Sequence, residues 1–314
     1  MASPLTYLLI LVGGLVLMVI SSNKTIDHAV ELASAFGIPH FLIGFLLIAL
    51  GTDLPEIVNS ILASYLGHAE INVGDSMGSV LSQLTLIFGI LPFIGGVIKI
   101  KRRESSIIGC CLLLALIIVY SIFEKGSYTR LDAFFLLCSW ALFAIITSTI
   151  VEKENFNIQA QAGDRRKRII NIFIILIGMA GIGLGSYLVV ESVIFLSKGL
   201  QIPEFFISFF IVGIGTSLPE LVVDITAIRK KHFDLAVGDI LGSCLVDATF
   251  STGIGHFIFP HAVATSLFNR LILYTLVVTF FAILMISVRK RVDRKAGFVL
   301  IMFYLFSFTF MFIK

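Results

Sequence analysis

Apolar runs of about 20 residues, the length that an α-helix needs to cross a bilayer core, recur along the whole chain. They do not alternate polar and apolar residues over about ten positions, as the strands of a membrane β-barrel would. The pattern predicts an all-α membrane protein with ten transmembrane helices. The predicted spans are residues 5–33, 39–65, 70–97, 106–123, 130–150, 169–197, 203–228, 233–257, 266–287 and 296–313.

One clearly polar segment, residues 151–168, separates the first five predicted spans from the last five. It ends in the basic run Arg165 to Arg168. The predicted organisation is therefore a first five-helix repeat at 1–150, a basic connector at 151–168 and a second five-helix repeat at 169–314.

The composition supports a membrane protein, because 58% of the residues are hydrophobic and only 14% are charged, with a mean hydropathy of +1.03. The four cysteines all lie in apolar runs, which predicts reduced side chains and no disulfide framework. Eighteen of the 23 Lys and Arg residues fall in one alternating set of loops and span ends, and five in the other. Basic loops stay in the cytoplasm. We therefore expect a multi-pass protein of the plasma membrane with both termini outside and the connector 151–168 cytoplasmic.

A motif of the form Gly-Thr-x-Leu-Pro-Glu occurs at residues 51–56 and again at 215–220. The two copies are 164 positions apart, and the same offset relates Gly-Asp-x-x-Gly-Ser at 74–79 to the same pattern at 238–243. A constant offset without gaps indicates a duplicated unit. Because five spans per half is an odd number, the second copy enters the membrane from the opposite side. The sequence thus predicts two inverted repeats, a common design of secondary transporters.

Each motif places a proline four residues after a glycine, so the carbonyl oxygens of Gly51 and Gly215 lose their helical N–H partners. In lipid such a carbonyl needs another partner, and a cation is one candidate. The carboxylates of Glu56 and Glu220 follow the prolines directly. A lone proline kink would be read as structural, but this duplicated arrangement favours a binding site.

The second duplicated block adds further oxygen atoms. Helical spacing places Asp75, Ser79 and Gln83 on one face of the third span, and Asp239, Ser243 and Asp247 on the equivalent face of the eighth. An acidic cluster at this depth without Lys or Arg must bind cations or protons. The oxygen-rich set suits a hard cation such as Ca²⁺, Mg²⁺, Mn²⁺ or Na⁺. The acids predicted to lie within the membrane are Asp53, Glu56, Asp75, Glu220, Asp224, Asp239 and Asp247.

At these residues the chain resembles the calcium/cation antiporter superfamily, most closely the prokaryotic type of its sodium/calcium exchanger branch. The blocks at about 39–85 and 203–249 correspond to that family's two alpha repeats, and Gly-Thr-Ser-Leu-Pro-Glu at 215–220 is a specific match. The resemblance implies ten helices, of which the second, third, seventh and eighth form the ion core. It also implies long, tilted first and sixth helices that slide over this core.

The ligand set that the resemblance and the residues together predict draws on both repeats. Glu56 and Glu220 would bind both Ca²⁺ and Na⁺, with other side chains and two backbone carbonyls completing the sites. The predicted metal-site residues are Glu56, Glu220, Asp247, Asp53, Thr52, Thr216, Ser217, Ser79, Ser243, Gln83, Ala49 and Gly213. We expect no cofactor and no enzyme activity. The expected partners are Ca²⁺, Na⁺ and the lipid bilayer, with no nucleic acid, and we expect the chain to function as a monomer.

Three departures from the family pattern leave the coupling ion open. Asp53 replaces a serine, Gln83 replaces an asparagine or aspartate, and Asp75 and Asp239 replace asparagines. The added carboxylate at 53 can recruit another cation, carry a proton or stay neutral, so the coupling ion and the stoichiometry stay open. The main expectation is Ca²⁺ exchanged for Na⁺ by alternating access at a midplane carboxylate site.

Three other functions compete with this expectation. A proton- or potassium-coupled exchanger of Ca²⁺ or another divalent ion is the first alternative. A cation channel is less well supported, because an inverted repeat with one central carboxylate cluster fits alternating access better than an open pore. An intramembrane aspartyl protease, suggested by Gly74-Asp75 and Gly238-Asp239, would need glycines where Asn72 and Ala236 stand. Because Asp75 and Asp239 lie about two helical turns from Gln83 and Asp247, we expect Asp75 in the outer vestibule and Asp239 in the inner vestibule.

Overall fold

The computed structural model describes residues 4–35, 49–100, 102–150, 165–229, 231, 233–261, 263 and 268–311. Almost all of these residues are helical. The helices of the first half are α1 (Pro4–Ala35), α2 (Ala49–Thr52), α3 (Leu54–Tyr65), α4 (Ala69–Leu81), α5 (Phe88–Gly95), α6 (Arg102–Glu124) and α7 (Arg130–Ile150). Those of the second half are α8 (Arg165–Leu200), α9 (Glu204–Ile207), α10 (Gly213–Thr216), α11 (Leu218–Arg229), α12 (Phe233–Val246), α13 (Thr252–Ile258), α14 (Asn269–Arg289) and α15 (Arg294–Ser307).

Three π-helical turns join some of these helices into continuous paths. The first (Ser82–Ile87) links α4 to α5, the second (Ser208–Val212) links α9 to α10, and the third (Asp247–Ser251) links α12 to α13. A 3₁₀ turn, Phe308–Met311, follows α15. Short π-helical turns inside α-helices are frequently found at functional sites.

Seven helical stretches within the described ranges are long and apolar enough to cross a membrane. The predicted span 39–65 lies partly outside those ranges, so its first part cannot be compared with the structure. The path from α12 to α13 is continuous but carries several acidic residues, including Asp239 and Asp247. This is a multi-pass, all-α membrane protein.

The two longest helices, α1 and α8, have 32 and 36 residues and pack along each other. A 36-residue helix spans about 54 Å, well beyond the roughly 30 Å of a bilayer core, which requires it to tilt or to extend out of the membrane. Glycine allows their backbones to meet, since a Cβ atom on Gly14 would fall 2.9 Å from the carbonyl oxygen of Gly185. Together α1 and α8 form one layer, and α8 also packs against α3.

The interior of the molecule contains many polar groups. Buried hydroxyl, amide and carboxylate groups are concentrated on α3, α4, α11, α12 and the π turns, whereas α1, α7 and α8 expose many large apolar side chains. Close packing of the core relies on glycine at Gly74, where a Cβ atom would lie 2.6 Å from the carbonyl oxygen of Phe205. This distribution leaves apolar side chains for lipid and gathers the polar groups around a central site.

Contacts between loops define the two ends of the molecule. At one end Tyr65 packs against Phe259 with ring centroids 5.2 Å apart, and His68 Nδ1 lies 2.8 Å from Glu204 Oε2. At the other end strand β1 (Ile98–Lys99) pairs antiparallel with β2 (Arg291–Val292). The path from α4 to α5 runs from the first end to the second. Each end therefore collects loops from both halves of the chain.

Candidate cation site

Two helix breaks lie at equivalent positions of the duplicated motif. Asp53 interrupts the path from α2 to α3, and Ser217 interrupts the path from α10 to α11. Pro55 and Pro219 lie in the first turns of α3 and α11. A proline is tolerated there because its missing N–H has no partner within the helix in any case. The motif thus ends one helix and starts another near the centre of the molecule.

Three carboxylates meet between these breaks. Asp53, Glu56 and Glu220 each offer one oxygen, and these oxygens all lie within 4.8 Å of one another. The three side chains are at most 1% exposed. Among the described residues, no group donates a hydrogen bond to either oxygen of Asp53 or of Glu220, or to Oε2 of Glu56. Ionised carboxylates in this arrangement repel one another unless positive charge lies among them.

Hydroxyl groups from both halves border this carboxylate triad, defined here as Asp53, Glu56 and Glu220. Ser79 Oγ, on α4, donates to Glu56 Oε1 at 3.4 Å. It also lies 3.4 Å from Thr216 Oγ1, at the end of α10. The side chains at the site offer oxygen, which favours a hard cation over zinc or copper.

The carbonyl oxygen of Gly213, one of the predicted ligands, is already engaged. It accepts hydrogen bonds from Ser217 Oγ at 2.8 Å and Ser82 Oγ at 3.2 Å, and Ser79 Oγ also lies 3.2 Å away, where its single proton can turn to this oxygen instead of to Glu56. A carbonyl oxygen has two lone pairs, so these contacts saturate it. For Gly213 to bind an ion, at least one hydroxyl would have to turn away.

Gln83 and Asp247, the other predicted pair, contact each other directly. Gln83 Nε2 donates to Asp247 Oδ2 at 3.2 Å and to Ser217 Oγ at 3.3 Å. Gln83 lies in the first π turn and Asp247 begins the third. Asp247 Oδ1 has no hydrogen-bond partner among the described residues and is buried. The pair therefore leaves one carboxylate oxygen available beside the break at Ser217.

Three predicted residues complete the set. Thr52 is buried at the end of α2, immediately before the break. Ser243 is buried on α12, and its Oγ has no hydrogen-bond partner within the described part of the chain. Ala49 is the first residue of α2, and its side chain falls outside the description.

Asp75 is not in an aqueous vestibule, so that expectation is wrong. Its side chain is 1% exposed. Its Oδ1 accepts from Thr216 Oγ1 at 2.9 Å and its Oδ2 from Asn59 Nδ2 at 2.6 Å. Thr216 also borders the triad, which connects Asp75 to the candidate site through a single side chain. The error arose because depth was measured along α4 alone, whereas Thr216 reaches Asp75 from a different helix.

The Gly51 carbonyl, which Pro55 deprives of its helical partner, has a hydroxyl rather than a cation as its partner in the structure. Ser22 Oγ, on α1, donates to this oxygen at 3.2 Å. On the other long helix, Ser186 Oγ donates to Asn59 Oδ1 at 3.1 Å. Ser22 and Ser186 are themselves 164 positions apart. Neither of the two serines nor Asn59 was predicted from the sequence. The offset of 164 positions between the two serines was a signal that could have identified them.

Several equivalent residues of the two repeats contact each other across the centre. Gln83 bonds Asp247, and Cys244 Sγ lies 3.7 Å from the carbonyl oxygen of Val80. Glu56 and Glu220 belong to the same triad. In each pair the residue numbers differ by 164. Because equivalent residues contact each other here, the candidate site lies between the duplicated units.

The fold and the site together define a class: a multi-pass helical membrane protein with a buried carboxylate site built from a duplicated motif. The family described as "Sodium/calcium exchanger protein" matches residues 6–149 and 170–313, one segment for each half. The chain belongs to this family. Its members are transporters rather than enzymes.

Individual relatives agree with this assignment. The sodium/calcium exchanger MaX1 of Methanosarcina acetivorans is 28% identical over 338 aligned positions, which cover 94% of this chain and 95% of the relative. A solved structure of the sodium-calcium exchanger NCX_Mj superposes with a TM-score of 0.66 at 22% identity and 98% coverage of both chains. The H⁺/Ca²⁺ exchanger CAX superposes with a TM-score of 0.72 at 14% identity, covering 99% of this chain and 86% of that one. These two structural superpositions establish the fold of the chain.

Proposed function

We propose that this protein is a secondary antiporter that exchanges Ca²⁺ for Na⁺ across the plasma membrane by alternating access to one central site. The observation that carries the proposal is the triad of Asp53, Glu56 and Glu220, each of which offers one oxygen within 4.8 Å of the other two. Five of the six carboxylate oxygens have no hydrogen-bond partner among the described residues. Such a group is unstable as three bare anions and favourable as a shell for a hard cation.

The residues around the triad would supply the remaining oxygens. In this proposal Thr52, Ser79, Thr216 and Ser217 contribute hydroxyls, and Asp247 contributes its unpartnered Oδ1. Ser243, Gln83 and the carbonyls of Ala49 and Gly213 complete the sites that Na⁺ occupies. Ca²⁺ takes six to eight oxygen ligands, which this set can provide. One shared set of ligands makes Ca²⁺ and Na⁺ compete, and competition at a single site is what couples their movements in opposite directions.

The proposed architecture is ten helices arranged as two inverted five-helix repeats, 1–150 and 169–314. Contacts between equivalent residues support it, as does the pairing of loops at each end of the molecule. The connector 151–168 would lie in the cytoplasm, and both termini outside, as the distribution of Lys and Arg favours. We propose that the protein acts as a monomer, because each chain holds a complete triad.

Proton coupling is the second candidate. Asp53 adds a third carboxylate to the triad, and the fold is similar to that of an H⁺/Ca²⁺ exchanger. A third carboxylate is a group on which a proton can replace a metal ion. The Na⁺ proposal is preferred because the family and the relative MaX1 are described as sodium/calcium exchangers.

The test is ⁴⁵Ca²⁺ uptake into liposomes that contain the purified protein and carry one imposed gradient at a time. We expect an outward Na⁺ gradient to drive Ca²⁺ uptake, and neither an H⁺ nor a K⁺ gradient to do so. Uptake driven by H⁺ and not by Na⁺ would replace the first candidate by the second. Ohmic single-channel currents in a planar bilayer would contradict both.

A further inference from the structure

The two short strands at one end of the molecule place basic side chains from distant parts of the sequence opposite each other. The register of β1 and β2 pairs Lys99 with Arg291, and both side chains are exposed. The other pair, Ile98 and Val292, is buried. Like charges directly opposite each other destabilise a pair of strands. The buried apolar pair thus holds the strands together against a repulsion between Lys99 and Arg291.

The residue before β2, Lys290, has a second unfavourable feature. Its φ angle is +54°, in the left-handed region that residues with a Cβ atom seldom adopt. Its N–H donates to the carbonyl oxygen of Ile286 at 2.9 Å, and its own carbonyl oxygen accepts from the N–H of Ile100 at 3.1 Å. Its counterpart in the first repeat is Gly126, which has a φ angle of +83°. Glycine adopts this conformation without strain, whereas lysine does not.

The same exchange of glycine for lysine occurs at a second turn. Lys231, which follows α11, has a φ angle of +62°, and its counterpart Gly67 has one of +84°. Within the described ranges, Gln201 is the one other non-glycine residue with a positive φ angle. The carbonyl oxygen of Ile228 accepts from the N–H of Lys231 at 3.0 Å, and the Ile228 side chain packs on Gly95, three residues before β1. Both lysine turns therefore lie at the end of the molecule that carries the strands.

Membrane orientation alone does not account for these features. Basic loops stay in the cytoplasm, but any loop position would serve that purpose, without a left-handed lysine or two basic residues in register. The neighbouring acid, Asp293, is already engaged, because it accepts from Arg289 at 2.8 Å and from the N–H of Ala296 at 2.9 Å. An anion bound against the strands would offset the repulsion between the two basic side chains.

Exposed apolar side chains adjoin the basic ones. Val97 is 48% exposed, and it and the exposed Lys99 flank the buried Ile98. Val288, two residues before Lys290, is 66% exposed. Basic groups beside exposed apolar side chains are typical of a surface at the boundary between the bilayer core and the headgroups. An anion that carries acyl chains would contact both kinds of side chain.

We propose that the basic clasp, defined as Lys99, Lys290 and Arg291, binds the phosphate headgroup of an anionic glycerophospholipid. The guanidinium of Arg291 can donate two parallel hydrogen bonds to a phosphate, and the lysines add point charges. The acyl chains of the lipid lie along Val97 and Val288. Lys231 adds positive charge at the same end. By the proposed topology the lipid belongs to the cytoplasmic leaflet, whose anionic lipids attract basic segments next to the membrane. The bound lipid stabilises the pairing of β1 with β2.

The test uses the full-length protein, purified in detergent and freed of lipid, and counts bound phosphatidylglycerol and phosphatidylcholine by native mass spectrometry. We expect one phosphatidylglycerol molecule to bind in preference to phosphatidylcholine. Lys99→Gln with Arg291→Gln should weaken its binding by roughly 25-fold, since one basic residue near an anionic membrane surface contributes a factor of roughly five. Lys24→Gln, at an exposed position on α1, is the control and should bind normally.

Three results of this titration would contradict the proposal. They are equal retention of the two lipids, unchanged phosphatidylglycerol affinity in the double variant, and a loss in Lys24→Gln as large as that in the double variant. Inorganic phosphate is added as a competitor, with chloride at the same ionic strength as the reference. Displacement of the lipid by phosphate beyond that by chloride would mean that the clasp takes free phosphate instead of a lipid headgroup.

Substitutions of Lys290 separate the charge from the backbone strain. Lys290→Gly relieves the strain and removes one charge. We therefore expect a higher thermal unfolding midpoint than that of the unmodified protein in phosphatidylcholine vesicles, and a smaller further rise when phosphatidylglycerol is included. Lys290→Gln keeps the strain and should show only the smaller rise, while Lys290→Arg should keep the full rise. An equal rise in Lys290→Gly and the unmodified protein would remove Lys290 from the site. These measurements do not involve transported ions, so their outcome is independent of the proposed exchange.

Discussion

Asp75 and Asp239 occupy the same place in the two repeats but have different surroundings. Asp75 is sealed from solvent, and each of its oxygens accepts a hydrogen bond. Asp239 is half-buried, and its Oδ2 has no described partner. Duplication has therefore preserved the positions of the two aspartates but not the groups that compensate their charge.

Two further differences between the repeats add charge to the same side. Asp53 corresponds to Ser217, and Asp224 corresponds to Ser60. The helix that carries Asp239, α12, packs against α11, which carries Asp224, and against α2, which ends at Asp53. Among the described residues these three aspartates therefore lie on one side of the core, whereas Asp75 lies on the other with Asn59 as its amide donor. The duplicated site has thereby become electrically polar.

The largest expected effect comes from the feature that both sides share. Glu56→Gln or Glu220→Gln should lower Ca²⁺ exchange by about 100-fold or more, because each removes a charge from the carboxylate shell while keeping its shape. The measurement is ⁴⁵Ca²⁺ flux in liposomes. Glu191→Gln, at an exposed position on α8, is the control and should exchange normally. Flux near the unmodified rate in either site variant would contradict the assignment of the triad.

The second expected effect comes from removing the amide of Asn59, which donates a hydrogen bond to Asp75. Asn59→Val should destabilise the protein by about 1–3 kcal/mol, because it leaves Asp75 Oδ2 and the Ser186 hydroxyl buried without partners. The readout is the thermal unfolding midpoint of the purified protein. Val223→Ile, at the equivalent position of the second repeat, should change the midpoint little. Equal losses in the two variants would show that the environments of Asp75 and Asp239 do not differ as described.

The third expected effect reverses part of the asymmetry. Asp53→Ser makes the first break identical to the second, and we expect it to raise the apparent KM for Ca²⁺ by roughly 5- to 10-fold from the Asp239 side. From the Asp75 side the change should be smaller. Flux measured separately from each face of oriented vesicles distinguishes the two. An equal change from both faces would argue against a polar site.

The smallest expected effect concerns the hydroxyl that caps the Gly51 carbonyl. Ser22→Ala should cost about 0.5–1.5 kcal/mol, because it returns a buried carbonyl to the unpaired state that Pro55 creates. Its counterpart Ser186→Ala removes a donor from Asn59 and should cost a similar amount. Chemical denaturation of the two purified variants provides the comparison. If the Ser22→Ala protein were as stable as the unmodified one, water or another group would have to donate a hydrogen bond to the Gly51 carbonyl oxygen.

The sequence predicted the parts of the site that repeat. Glu56 and Glu220 were identifiable because the same motif recurs at a fixed offset, and the carboxylates of Asp53 and Asp247 because acids are rare at membrane depth. Asn59 was missed because its counterpart is Val223, so no repetition marks it. The surroundings of Asp75 were mispredicted because a contact between helices cannot be obtained from distances along one helix. Local chemistry was predictable, whereas the meeting of distant helices was not.

The π turns have a consequence for how this chain tolerates change in length. The first and third π turns hold Gln83 and Asp247, and each contains one residue more than the α-helical path on either side requires. Deleting one residue there would restore regular α-helical winding without breaking the helix. The helix beyond the turn would keep its orientation, because the π turn accommodates the extra residue locally, and only the side chains within the turn would change direction. Relatives whose alignments show a one-residue gap at this point should therefore have lost the inward placement of either Gln83 or Asp247 while the rest of the helix stays in place.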